Sequence, residues 1–228
     1  SLPSPYGHGV LEPTKFMRWE TTRGCPYTCS FCQHRSAKGG VGFMSMERVV
    51  KDVHLICSHP EGKSAEIAVV DPTFNITDRS TSILSEFRRK RFQGKLELQI
   101  RPERLSSSFV EGALKLGRDH VVFEMGIQTM HPNELMHIER MRGKIDVENN
   151  VRLVERKLEL VNKANIPSEI SLIYGLPGQT VESFKYSIAK CQALVPKANI
   201  KCFPLMLLRG TKLHDSALDL GLREGTVE

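Results

Sequence analysis

The sequence predicts an α/β fold built on a parallel sheet, and three observations carry that prediction. Short apolar runs rich in β-formers alternate with longer segments of helical period. There are six such runs, and the helical segments between them are the crossovers that parallel neighbours require, right-handed by the chirality of the chain. The residues with chemical handles fall where the runs end. Six strands are fewer than the eight of a closed barrel, so an incomplete barrel and an open doubly wound sheet both fit the pattern. Either architecture gathers ligands beyond the carboxyl ends of its strands.

Taken in order, the strand-like runs are 15–22, 65–71, 96–101, 120–125, 168–174 and 200–207. The first helical segment, 45–56, sets Met46, Val49, Val50, Val53 and Ile56 on one stripe, with Ser45 placed to cap it. Segments 80–91, 108–116, 147–164 and 180–194 repeat that period, the last with Thr180 as its cap. The strand ends carry Cys25, then Asp71-Pro72-Thr73, then Arg101-Pro102-Glu103, then Gln128, then Gly175-Leu176-Pro177-Gly178. Their convergence on one edge of the sheet points to an enzyme.

The 228 residues show no linker, low-complexity tract or repeat, so one domain is expected: a lead-in over 1–14 and a core over 15–228. Hydrophobic residues make up 40%, enough for a sizeable core, and the net charge of +6 reads as an ordinary solvated basic surface. No apolar stretch reaches the ~18 residues of a membrane span, and the start lacks a signal peptide's basic-then-apolar pattern. A cytoplasmic protein is expected, with neither membrane nor nucleic acid as partner. Six cysteines without a secretion signal argue against a disulfide scaffold. Cys57, Cys191 and Cys202 are scattered; Cys25, Cys29 and Cys32 are clustered and need a chemical explanation.

Cys25-Pro26-Tyr27-Thr28-Cys29-Ser30-Phe31-Cys32 lets one short loop aim three thiols at one point. Structural zinc usually takes four protein ligands, and only His34 lies near enough to complete such a set. Three thiolates suit a 4Fe-4S cubane with one iron left open to an outside ligand. A zinc loop that binds RNA through the basic surface, and an electron-transfer protein with a fully ligated cluster, are the readings from other classes.

This constellation, with the aromatic Phe31 before its last cysteine and its place after a first strand, resembles the signature of the radical S-adenosylmethionine (radical SAM) superfamily. The resemblance implies a partial (βα)6 TIM-like barrel over nearly the whole chain. It implies Cys25, Cys29 and Cys32 as ligands of a 4Fe-4S cluster whose open iron chelates S-adenosylmethionine through its methionine moiety. Electron transfer from the reduced cluster would break a carbon–sulfur bond, usually giving a 5′-deoxyadenosyl radical that abstracts hydrogen. Transfer of a 3-amino-3-carboxypropyl group by cleavage of a different bond is the alternative. A small-molecule substrate and a reducing donor such as flavodoxin or ferredoxin are the implied partners.

Further positions extend the resemblance. Asp71-Pro72-Thr73-Phe74-Asn75 stands where the family receives the cofactor's amino group, often with Gly-Gly-Glu, which implies Asp71 and Thr73. Phe123-Glu124-Met125-Gly126-Ile127-Gln128-Thr129, followed by Arg140, is similar to the oxygen-independent coproporphyrinogen oxidase branch and implies Gln128 and Arg140 as cofactor contacts. An arginine suits the methionine carboxylate through paired charge-assisted hydrogen bonds. Tyr174-Gly175-Leu176-Pro177-Gly178-Gln179-Thr180 is similar to the same branch and implies a wall for the nucleoside at Tyr174 and Gly175. Ser171 and Gln99 depart from it, since relatives often have Asp and Glu there. Phe203-Pro204-Leu205-Met206 and Trp19-Glu20-Thr21-Thr22-Arg23-Gly24-Cys25 look like cobalamin-type members, which adds Leu205 to the expected cofactor contacts, beside Phe31 of the cysteine signature. No Asp-x-His-x-x-Gly motif is present, so either a domain outside this chain supplies cobalamin or the protein works without it.

Overall fold

The computed structural model describes residues 3–34, 40–140 and 146–223. In chain order its elements are β1 (Phe16–Trp19), β2 (Thr22–Arg23), β3 (Gly42–Phe43), α1 (Met46–Ser58), β4 (Glu66–Val69), α2 (Arg79–Arg89), β5 (Lys95–Ile100), α3 (Ser107–Leu116), β6 (Val121–Gln128), α4 (Pro132–His137), α5 (Val147–Ala164), β7 (Ser168–Tyr174), α6 (Val181–Leu194), β8 (Asn199–Pro204) and α7 (Lys212–Asp215), with single 3₁₀ turns between some of them. Strands β1, β4, β5, β6, β7 and β8 form one sheet in that order, and every pairing is parallel. A doubly wound sheet reverses its strand order at a switch point. This order never reverses, so the sheet is an open, partial barrel.

Right-handed crossovers in a sequential sheet place every connecting helix on the same side. The core lies there. Ile67 and Val69 of β4, Leu96, Leu98 and Ile100 of β5, and Val121, Phe123, Met125 and Ile127 of β6 are buried against Val49, Val53 and Ile56 of α1, Leu84 and Phe87 of α2 and Leu158 of α5. Phe87 packs edge-on against Trp19 and Phe92, at 5.5 and 4.9 Å between ring centroids. Burying one such ring stabilises the fold by roughly 1.5–3 kcal/mol. Because successive side chains alternate across a strand, Glu97, Gln99, Glu124, Gly126 and Gln128 point to the other, concave face. A parallel sheet covered on both faces would read as continuous apolar runs. These strands alternate because only one face is covered.

The helices begin where their caps predict. Ser45 Oγ accepts from the Arg48 N–H, and Thr180 and Ser183 form a reciprocal capping box. The lead-in is tied down: the Tyr6 hydroxyl donates to the Arg18 carbonyl at 2.8 Å, and Ser4 Oγ donates to the buried Asp52 carboxylate. Three expectations are corrected. The first strand stops at Trp19, and residues 22–23 form a separate strand antiparallel to β3, because Thr21 and Thr22 give their N–H groups to Asp71 rather than to the sheet. Strand β6 continues to Gln128 rather than ending at 125, and the last strand ends at Pro204 rather than at 207.

Candidate functional site

Cys25, Cys29 and Cys32 follow β2, on a loop that the β2–β3 ladder closes at its base. Gly24, just before Cys25, has a φ of +86°, and a Cβ there would lie 2.7 Å from the Gly40 carbonyl oxygen. Glycine alone tolerates both the left-handed backbone and that approach. The loop is held from distant segments: the Ser30 N–H donates to the Ile138 carbonyl, the Leu213 N–H to the Ser30 carbonyl, and Gln33 Nε2 to the Arg209 carbonyl at 2.8 Å. The three thiols, Tyr27, Phe31 and His34 line a cavity of about 140 Å³. Its remaining walls are Pro72 and Thr73 beyond β4, Gln99, Ile100 and Arg101 from β5, Gly126 and Gln128 from β6, and Arg140.

Among the described residues no three His, Cys, Asp or Glu side chains converge tightly enough to hold a single metal ion. Three thiols spread around an open cavity fit a larger group, such as a cubane with a ligand on its free iron.

The sulfur atoms have unequal surroundings. Cys25 Sγ lies 3.8 Å from Thr73 Oγ1, and Cys32 Sγ accepts from the His34 N–H at 3.4 Å. Burial pushes the Cys32 thiol above its ordinary value. Cys29, 6% exposed, is approached by two guanidiniums: Arg101 Nη1 at 3.5 Å and Arg140 Nη1 at 3.6 Å. Arg140 also donates to the Gly126 carbonyl. Gly126 makes room for this, since a Cβ there would fall 2.5 Å from Gln128 Nε2 and 3.5 Å from Arg140 Nη2. Gln128 itself sits at φ +71°, next to a register shift in β6. A non-glycine residue held there stores strain of ~1–3 kcal/mol, which surrounding structure must over-determine.

Cys25, Cys29, Cys32, Phe31, Thr73, Gln128 and Arg140 thus line one cavity. Tyr174, Gly175 and Leu205 lie together elsewhere, at the ends of β7 and β8, where the Leu205 N–H donates to the Tyr174 carbonyl at 2.8 Å and Gly175 takes a φ of +84°. Asp71 belongs to neither group, which corrects its place as a ligand-facing carboxylate. It is 0% exposed, and its oxygens accept from the Thr21 N–H at 2.6 Å, the Thr22 N–H at 3.0 Å and the Thr21 hydroxyl. Its task is to aim the chain that enters the cysteine loop. Arg101, read from sequence only as one of the strand-end residues, and Tyr27 are cavity residues to which the sequence assigned no role. The basic run after Arg140, Met141-Arg142, lies outside the described residues.

Asp71→Ala is expected to cost about 2–3 kcal/mol, because it leaves buried donors unsatisfied. Asp71→Asn should cost under ~1 kcal/mol, since one amide oxygen serves both N–H groups and the Thr21 hydroxyl can turn to accept. Burial raises the Asp71 carboxyl above its ordinary 3.8, the hydrogen bonds from Thr21 and Thr22 offsetting only part. A carboxyl raised on folding contributes most when protonated, and that contribution fades as pH rises through the folded value. Urea unfolding across acidic pH should therefore be flatter for Asp71→Asn than for the native chain. Equal losses for the two variants would disprove this role.

The scattered thiols differ in kind. Burial pushes Cys57 up to about 11 and Cys191 up to about 12, whereas Cys202 is exposed. Thiolate is the reactive form, so near neutral pH iodoacetamide should modify Cys202 and spare Cys57 and Cys191 in the folded protein. Peptide mass spectrometry showing equal labelling of all three would contradict it.

A family model described as the Radical SAM superfamily matches residues 19–191, from the end of β1 into α6. The chain belongs to the radical SAM superfamily. Radical SAM proteins are enzymes that use a 4Fe-4S cluster and S-adenosylmethionine, and the cavity offers thiols, guanidiniums and space suited to both. Among curated relatives, the chain is 25% identical over 226 residues to the cobalamin-dependent radical SAM methyltransferase TokK of Streptomyces tokunonensis, covering 93% of this chain and 32% of that protein. It is 27% identical over 201 residues to the 2-(S-pantetheinyl)-carbapenam-3-carboxylate methyltransferase of Streptantibioticus cattleyicolor, covering 82% and 28%. The chain therefore spans about a third of their length. In fold it is similar to the radical SAM methyltransferase TsrM of Kitasatospora setae, solved with cobalamin and a [4Fe-4S] cluster, at a TM-score of 0.66 and 18% identity over 82% of this chain and 34% of that one. It is also similar to coproporphyrinogen III oxidase, HemN, of Escherichia coli, at 0.60 and 17% over 86% and 45%. Among the described residues no helix is long and apolar enough to cross a membrane.

Proposed function

We propose that this radical SAM chain is the core of a methyltransferase acting on a small molecule, with residues 15–228 as the core domain, 1–14 as its lead-in, and cobalamin contributed from outside these residues. The observation that carries the proposal is the single cavity that collects Cys25, Cys29 and Cys32 with Thr73, Gln128 and Arg140. In this reading the three thiolates hold the cluster. When bound, the cluster supplies one electron that breaks a carbon–sulfur bond of S-adenosylmethionine, as the family's chemistry requires.

The chain's own residues bind and orient. The Arg140 guanidinium takes the methionine carboxylate through charge-assisted hydrogen bonds, and the strained Gln128 turns its amide toward the same group. Thr73, rather than Asp71, receives the amino group. The ends of β7 and β8 wall the nucleoside, with Gly175 letting the backbone approach and Tyr174 and Leu205 as apolar surface. The methyltransferase character is supported by the two curated relatives, both named as methyltransferases, and by the fold likeness to TsrM. A low-potential electron donor completes the set of partners, and the cytoplasm is the compartment that keeps such thiols reduced.

The test is anaerobic reconstitution of the chain with iron and sulfide, reduction with titanium(III) citrate, and mass spectrometry after adding S-adenosylmethionine with and without hydroxocobalamin, which the reductant converts to the cob(I)alamin that accepts the methyl group. S-adenosylhomocysteine formed together with 5′-deoxyadenosine supports the proposal. A 3-amino-3-carboxypropyl product overturns the choice of bond. Absence of any cluster overturns the assignment of the cysteines.

A further inference from the structure

Arg101 is the most constrained cation in the cavity. It is 4% exposed and closes β5 with its guanidinium engaged on three sides. Nε donates to the Glu103 carboxylate at 2.5 Å, the planar face lies 3.6 Å from the centroid of the Tyr27 ring, and Nη1 points at Cys29 Sγ at 3.5 Å. Tyr27 belongs to the cysteine loop, so one side chain grips that loop twice. Glu103 is also 4% exposed. Burial works against its charge, but Arg140 and Arg101 hold its carboxyl below the usual range. Two guanidiniums thus approach a single sulfur, and the carboxylate of Glu103 pairs with one of them from behind. Among the described residues, the hydrogen-bond partners of the other two cysteines are neutral, the Thr73 hydroxyl at Cys25 and the His34 N–H at Cys32, although the Arg140 charge also reaches Cys32.

Hydrogen bonds to sulfur and nearby charge are the main means by which a protein sets the potential of an iron–sulfur cluster. Reduction adds negative charge, and a buried cation beside one ligand sulfur stabilises that charge more than it would in water. Arg140 has a competing duty in the proposed reading, the carboxylate of S-adenosylmethionine. Arg101 is held instead by the Glu103 carboxylate and the Tyr27 ring. We propose that Arg101 is a tuning and positioning residue: it holds the loop through Tyr27 and raises the reduction potential of the cluster by donating to the Cys29 sulfur whether or not S-adenosylmethionine is bound. This inference rests on the proposed assignment of the three cysteines. It adds Arg101 to the working parts of the site without making it a catalytic residue.

The experiment is a potentiometric titration of the anaerobically reconstituted chain, followed by electron paramagnetic resonance of the reduced cluster. Arg101→Gln keeps a donor but removes the charge. At a fixed potential its ratio of reduced to oxidised cluster should fall about tenfold, a shift of about 59 mV for a one-electron couple. Arg101→Lys should recover part of that loss. Glu103→Gln leaves the cations uncompensated and should move the ratio the opposite way. If Arg101→Gln loads no iron, the opposed shifts of Arg101→Lys and Glu103→Gln decide the question. Midpoints equal to the native one in every variant that loads iron overturn this inference alone. A native chain that takes up no iron and sulfide overturns the cysteine assignment first, and this inference with it.

Discussion

Cys29→Ser is expected to give a folded chain that cannot assemble its cluster. Cys29 is the buried member of the set, and serine fits its space with a smaller oxygen. A serine hydroxyl does not ionise near neutral pH, so the anionic sulfur that iron requires is gone. The Arg101 and Arg140 guanidiniums then face a hydroxyl, which accepts hydrogen bonds at least as well as a thiol, so the loss in stability should stay within about 1 kcal/mol, which a domain of this size survives. Cleavage of S-adenosylmethionine should fall by more than the ~10–100-fold that removing an outer partner of a metal site typically costs. Iron and sulfide analysis with visible absorbance provides the check. Native iron content in the variant would remove Cys29 from the ligand set.

Glu134→Ala should have the largest effect on stability of any single change near the site. Glu134 is buried on α4 and accepts three hydrogen bonds, from Thr129 Oγ1 at 2.5 Å, Ser183 Oγ at 2.5 Å and Gln179 Nε2 at 2.9 Å. Gln179 in turn accepts from the Gly175 N–H at 2.7 Å and the Leu176 N–H at 3.3 Å. One carboxylate therefore joins the end of β6, the cap of α6 and the glycine turn after β7. Alanine removes the shared acceptor and leaves each donor only its weaker second partner, the Ser187 hydroxyl for Thr129, the Thr180 carbonyl for Ser183 and the Ile173 carbonyl for Gln179, so the loss should be about 2–4 kcal/mol for three charge-assisted bonds. Tm should drop by roughly 5–15 °C. In the proposed reading the Gly175 turn also loosens, so affinity for S-adenosylmethionine should weaken by about tenfold, or ~1.4 kcal/mol. Glu134→Gln keeps one acceptor and should recover part of both losses. A Tm within about one degree of the native value for Glu134→Ala would show that the network is dispensable.

The two variants separate what was legible from what was not. The cysteine loop could be read directly because its ligands are neighbours in sequence, seven residues from first to last. Glu134 could not, because a glutamate in a polar stretch looks like any solvated carboxylate until its three donors arrive from other elements. Asp71 failed in the opposite direction. Its position at a strand end suggested a ligand contact, and burial against Thr21 and Thr22 made it structural. The short helix α4 carries too few turns for a periodic signal, and the two-residue strands of the hairpin carry none.

By itself, the sequence determined the alternation of strands and helices, the caps at Ser45 and Thr180, and the spacing of the three thiols. Each of these rests on residues within a few positions of one another, where local geometry decides the outcome. Only the tertiary structure decided that the strands run in sequential order as a partial barrel, and that Asp71 turns away from the cavity. It alone brought Arg101 and Arg140 to Cys29 across 72 and 111 residues of chain. Those outcomes depend on which buried polar groups find partners. Burial is a property of the packed molecule, and no short stretch of sequence contains it.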